Sequence, residues 1–106
     1  MRLWGINPKI LCRNHLLGEH KELHYMVGWI NGKKPLLLKR WSDKGFIDTT
    51  IIKKRHEDLV IEMINRGYNH KSPLNDFIDT KWGRINVEKN KEDLFNRCII
   101  CKERNV

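Results

Sequence analysis

The chain has 106 residues, 40% hydrophobic and 32% charged, which suits one small folded domain (residues 1–106) and excludes a disordered segment. Lysine and arginine number 21 against 13 acidic residues, and the resulting charge of +8 favours a polyanionic partner, nucleic acid before a membrane surface. No apolar run approaches the roughly 18–20 residues of a membrane span, and nothing resembles a signal peptide. Three cysteines (Cys12, Cys98 and Cys101) are too few and too odd in number for a disulfide scaffold, so a reducing, cytoplasmic setting is expected.

Met1 to Ile6 shows no helical period, and Asn7-Pro8 reads as a helix entrance, with Asn as cap and Pro at the first helical position. Helical pattern then runs to about Ile30, with a break near Arg13, and Asn31-Gly32 stops it. Within this helix Leu16, Leu23, Val27 and Ile30 form a core stripe, while His15, Glu19, Glu22 and Met26 line another face. The bland reading of that second face is a solvated charged stripe. Gly18, inside the helix at a cost of roughly 1 kcal/mol relative to Ala, suggests that a backbone or ligand approaches closely. Lys33 to Asp48 reads as a loop with at most a short helical turn.

Thr49-Thr50 offers a cap for a second helix, about Ile51 to Arg66, with Ile52, His56, Leu59, Val60 and Met63 inward and Gly67 closing it. Tyr68 to Arg84 should be mostly irregular. Asn86 caps a third helix, about Val87 to Arg97, with Leu94 and Phe95 inward. Strand alternation is absent, so the expected fold is all-α: one compact domain of three main helices with irregular connections.

Two patterns raise the question of a metal. His20 and His24 stand at i, i+4, but the intervening glutamate does not make the H-E-x-x-H of zinc proteases. Cys98-Ile99-Ile100-Cys101 is half of a structural zinc site, for which Cys12-x-x-His15 offers the other half. The alternative is a pair of free thiols buried by Ile99 and Ile100, and the expectation taken forward is no metal and no cofactor. Ser42 and Ser72 lack partners for nucleophilic catalysis, and no glycine-rich phosphate loop is present. The chain's own amine is a better nucleophile. With a reference pKa of about 7.7–8.0 it is roughly 10–15% unprotonated at pH 7, against about 0.04% for a lysine.

Two stretches together resemble the phage pyrimidine-dimer DNA glycosylase/AP lyase family (the endonuclease V of ultraviolet repair). His15-Leu16-Leu17-Gly18-Glu19-His20-Lys21-Glu22-Leu23 resembles its first helix, H-L-x-x-E-x-[basic]-E-[Leu/Ile]. Lys54-Arg55-His56-Glu57-Asp58-Leu59 through Asn65-Arg66-Gly67-Tyr68-Asn69 resembles its K-R-x-x-[E/D]-L…R-G-[F/Y]-N helix. The resemblance implies that Glu22 is the catalytic glutamate and that Met1 supplies the N-terminal amine. The family nucleophile is usually a threonine exposed by loss of the initiator methionine; the large Arg2 implies that Met1 is retained. Arg2, Asn14, His15 and Lys21 match residues that hold DNA, and Tyr25 stands where the family has an arginine. A C-x-x-C segment stands where the family carries an aromatic C-terminal tail. The implied fold is an α-domain whose N-terminal segment runs between helices.

The expected function is therefore a DNA-repair N-glycosylase with abasic-site lyase activity, acting as a monomer on damaged or modified duplex DNA. Lys33, Lys34, Lys53, Lys54 and Arg55 would support the phosphate grip, and Trp4, Trp29, Trp41 or Trp82 could fill the gap left by an extruded base, core packing being their alternative. The competing reading is a non-enzymatic basic nucleic-acid-binding module, stabilised by zinc, in which Glu22 only pairs with basic neighbours.

Overall fold

The computed structural model describes residues 2–32, 36–70 and 73–105, the side chain of Leu37 excepted. Met1, Lys33 and Lys34, which carry part of the expected site, lie outside the described residues. The described residues form five α-helices: α1 (Arg13–Asn31), α2 (Leu36–Asp43), α3 (Ile52–Asn65), α4 (Val87–Arg97) and α5 (Ile99–Arg104). There is no strand among the described residues. The all-α expectation holds, and the helix count rises by two.

The Asn7-Pro8 entrance opens only a 3-10 turn, Pro8–Ile10, with the Asn7 side chain accepting from Lys9 N at 3.0 Å. The chain then extends through Leu11 and Cys12 before α1 begins. Cys12 occupies the N-cap position without capping, because its sulfur turns to other partners. Helix α2 corrects the loop expected over 33–48: its Leu38 is fully buried, so tertiary packing stabilises a helix too short to stand alone. A second 3-10 turn, Thr49–Ile51, precedes α3, and its cap is Asp48 rather than the threonines, with Asp48 Oδ1 accepting from Thr50 N at 2.9 Å. Gly67, at φ +83, ends α3 as expected, and the Asn86 side chain caps α4 by accepting from Lys89 N.

The core joins Leu16, Leu23, Met26 and Val27 of α1 to Ile52, Leu59 and Met63 of α3 and Leu94 of α4. Through it runs the extended segment of residues 2–6, with Leu3 and Ile6 buried. Four elements hold that segment. Leu3 N donates to Phe46 O at 2.7 Å, and Asn90 Nδ2 of α4 donates to Leu3 O at 3.2 Å and Trp4 O at 3.0 Å. Arg55 Nη1 of α3 donates to Ile6 O at 2.7 Å, and α1 contributes Glu22, described below. The irregular stretch before α4 is tied to the start of α3 through buried Thr49, whose Oγ1 donates to Asp79 Oδ1 at 2.8 Å and accepts from Trp82 N at 2.8 Å. Gly83, at φ +80, lets this stretch pass the Ile47 carbonyl, where a Cβ would collide with the oxygen. Trp4 is buried, and Trp29, Trp41 and Trp82 pack partly buried against the core.

Candidate active site and two ligand clusters

Residues two apart on an α-helix lie about 200° apart around its axis, so Glu22 and His20 occupy opposite flanks of α1. On the first flank Arg2 N donates to Glu22 Oε2 at 3.1 Å, which fastens the first peptide unit of the chain to that carboxylate. Burial raises the Glu22 pKa above the ordinary carboxylate value; the Arg2 N–H and the positive chain terminus oppose the rise, and Glu19 adds to it. The stripe that carries Glu22 is not solvated: Glu19 and Met26 are buried, and His15 and Glu22 are half-buried. Glu19 is neutralised by Arg55, with Nε to Oε2 at 2.5 Å and Nη2 to Oε1 at 3.0 Å.

Two cations assigned to a phosphate grip have other employment. Arg55 is buried, and its guanidinium is committed to Glu19 and to the Ile6 carbonyl. Arg2 sends Nη2 to Asn90 Oδ1 and Asp93 Oδ2, both at 2.7 Å, and its guanidinium lies over the Trp4 and Phe46 rings at 4.5 and 4.7 Å. The Arg2 hydrogen bond holds the Asp93 carboxyl below its usual range. Arg66 likewise donates to Pro8 O at 3.1 Å and Leu11 O at 2.7 Å. All three arginines brace the N-terminal segment. Asn14, Lys21 and Tyr25 are exposed, with Lys21 Nζ over the Tyr25 ring at 5.7 Å, and Lys53 and Lys54 are exposed on α3. No side chain or backbone among the described residues lies within 4 Å of a Cβ built on Gly18, so the close approach inferred from that glycine is not internal.

On the same flank, one end of α1 meets α5. Cys12 Sγ lies 3.1 Å from His15 Nδ1, Cys101 Sγ 3.5 Å from the same nitrogen, and Cys98 Sγ 3.9 Å from Cys12 Sγ. The backbone N–H groups of Cys12 and Cys101 donate to Cys101 Sγ and Cys98 Sγ at 3.1 and 3.4 Å. Burial pushes the Cys101 thiol up to about 12 despite the Cys12 N–H, with the adjoining thiols adding to the rise. Burial also resists ionisation of Cys98, but hydrogen bonds from Cys101 and Cys12 outweigh it and leave that thiol below its usual value. Cys12 and Cys101 are buried and Cys98 half-buried, with no disulfide among them, but Ile99 and Ile100 are 68% and 56% exposed and are not what buries them. His15, matched by resemblance to a DNA contact, turns Nδ1 into this cluster.

The opposite flank holds a group that sequence reasoning missed. His20 and His24 of α1 meet His56 of α3 and His70 of the following segment, with ligand atoms all within 4.8 Å of one another. His20 Nε2 is 3.1 Å from His56 Nε2 and 3.0 Å from His70 Nε2. Burial, followed by the neighbouring imidazoles, lowers the His20 pKa to about 4, so its ring is neutral at pH 7. The i, i+4 pair on α1 was the visible half of the signal. His56 and His70 carried none, because only the packing of α3 on α1 brings them in.

A family model described as pyrimidine dimer DNA glycosylase matches residues 1–76. The chain belongs to the pyrimidine dimer DNA glycosylase family. No curated protein and no solved structure matches it. Membership supports a DNA-repair glycosylase whose substrate is DNA. The matched span holds the N-terminal segment, α1 and α3, and hence Glu22, Arg2 and all four clustered histidines. It excludes α4 and α5, which supply Asn90, Asp93, Cys98 and Cys101. No helix among the described residues is long and apolar enough to cross a membrane.

Proposed function

We propose that this pyrimidine dimer DNA glycosylase family member removes damaged pyrimidines, dimers first, and then cleaves the resulting abasic strand through an imine on its N-terminal amine. The observation that carries the reading is the Arg2 N to Glu22 Oε2 hydrogen bond of 3.1 Å. The amine of Met1 precedes that N–H by one residue, so chain connectivity keeps it near the carboxylate. The unprotonated amine attacks C1′, its lone pair forming the N–C bond as the base departs with the glycosidic electron pair and gains a proton. Ring opening gives a protonated imine. Loss of a C2′ proton to Glu22 sends that electron pair into a C2′–C3′ double bond and expels the 3′ phosphate. A carboxylate whose pKa is raised by burial is a stronger base than an ordinary one, which suits it to receive and return the proton.

Lys21, Tyr25 and Asn14 are exposed beside this corner and would meet the DNA backbone, with His15 Nε2 and the α3 lysines beyond. Arg2 is assigned to positioning: its side chain holds the segment that delivers the amine. The target nucleotide must leave the stack for C1′ to be reached, at a cost of a few kcal/mol. No cofactor enters the scheme, and a single-domain monomer working on duplex DNA inside the cell suffices for it. Cleavage of ultraviolet-irradiated, abasic and undamaged duplexes, compared side by side, tests the reading. Strand scission at dimers and abasic sites with none on undamaged DNA is expected, and tight binding without scission on any duplex would overturn it in favour of a non-enzymatic binder.

A further inference from the structure

We propose that the chain binds a structural zinc ion through Cys12, His15, Cys98 and Cys101. Tetrahedral zinc with Zn–S near 2.3 Å and Zn–N near 2.0–2.1 Å sets ligand pairs about 3.8 Å (S···S) and 3.6 Å (S···N) apart. The observed 3.9 Å between Cys98 and Cys12 lies close to the first value, and the 3.1 and 3.5 Å from the Cys12 and Cys101 thiols to His15 Nδ1 lie below the second by up to half an ångström. Backbone N–H groups already point at two of the sulfurs, an arrangement that stabilises thiolates and orients them toward a metal. Thiol hydrogen bonds among three sulfurs and an imidazole nitrogen are weak, whereas a divalent cation would take one lone pair from each of the four in a strong bond. The ion would rivet α5 to the start of α1, and so attach the part outside the family match to the helix that carries Glu22. Bound through Nδ1, a neutral His15 would be fixed with its proton on Nε2.

A separate observation carries a second centre, a nitrogen-only site at His20, His24, His56 and His70. Three Nε2 atoms converge, with His20 Nε2 about equally close to two others. One nitrogen of a neutral imidazole offers either a single proton or a single lone pair, so it cannot satisfy both neighbours by hydrogen bonding. A cation accepts all the lone pairs together, and imidazole donors select a borderline first-row divalent ion such as Zn²⁺, Co²⁺ or Ni²⁺ over Mg²⁺ or Ca²⁺. His56 also lines a cavity of about 570 Å³ with Thr49, Lys53 and Asp79, which gives an ion a route from solvent.

Cobalt reports the two centres separately, and neither readout depends on DNA cleavage. The full chain is stripped with chelator, loaded with Co²⁺, freed of excess ion and assayed for metal and absorbance. Intense near-ultraviolet thiolate-to-cobalt charge transfer is expected, lost in Cys101→Ser and kept in His56→Ala/His70→Ala. The double histidine variant should lose about one cobalt per chain relative to the parent. Removing the native ion should also lower the melting temperature. Cobalt-loaded parent protein without charge transfer overturns the sulfur site. Equal cobalt content in the parent and the double histidine variant overturns the imidazole site. The sulfur site is judged on the parent chain alone, and a far-ultraviolet circular dichroism spectrum matching the parent's shows the double histidine variant to be folded when its cobalt content is compared.

Discussion

The two flanks of α1 are built from the same helix and obey different logics. The Glu22 flank faces the N-terminal segment and α4–α5, and it brings a carboxylate against a backbone N–H at the beginning of the chain. The histidine flank faces α3 and the segment after it, and it gathers four imidazoles beside a cavity. Between them the buried Glu19–Arg55 pair crosses from α1 to α3 and anchors Ile6. On the proposals made above, one flank would serve proton and nucleophile chemistry and the other would hold a cation. A single helix can serve both because a step of two residues reverses its direction.

Glu22→Gln separates the flanks most sharply. Strand cleavage at abasic sites should fall by about 10²–10⁴-fold, while cobalt binding by the histidines stays unchanged. The pH dependence has a definite sign. As a base Glu22 must be ionised, so cleavage should decline as pH falls through its pKa, at a higher pH than an ordinary carboxylate would give. A raised pKa also means that the folded state holds the proton more tightly than the unfolded chain. The stabilising contribution of Glu22 is thus present at acid pH and lost as pH rises through the folded value. Glu22→Gln should accordingly be no less stable than the parent at pH 7 in thermal melts.

Arg55→Met removes the divider. It strands a buried Glu19 carboxylate and should lower the unfolding free energy by about 3–5 kcal/mol in urea titrations. Loss of DNA affinity with no loss of stability would instead restore Arg55 to the phosphate grip. Asn90→Ala cuts three hydrogen bonds to the N-terminal segment and should cost about 1–3 kcal/mol, with slower imine formation as that segment loosens. The smallest effect has the opposite sign. Gly18→Ala should stabilise by about 1 kcal/mol, since a Cβ there meets nothing among the described residues; a simultaneous drop in DNA affinity would show that DNA approaches that face.

Helical periodicity and caps were enough to read α1, α3 and α4 nearly to the residue, and the motifs on the first helix and on α3 were enough to point to the family. Helix α2 was missed because its stability comes from burying Leu38, which no local pattern advertises. Helix α5 was missed because it is six residues long and starts from a cysteine cap. The partners of Arg2, Arg55 and Arg66 were not legible for a related reason: sequence shows charge, while packing decides which carbonyl or carboxylate that charge meets. The solvated-stripe reading failed likewise, as Glu19 looks like a surface residue until Arg55 is packed against it. The histidine cluster needed three separate elements to come together, and pairwise spacing revealed only one of its pairs.

Borohydride trapping on an abasic duplex, followed by digestion and mass spectrometry of the adduct, tests the central claim most directly. The sugar is expected on the amine of the N-terminal residue, with trapping abolished when that amine is acetylated. An adduct on a lysine side chain, or no adduct at neutral pH, would contradict it.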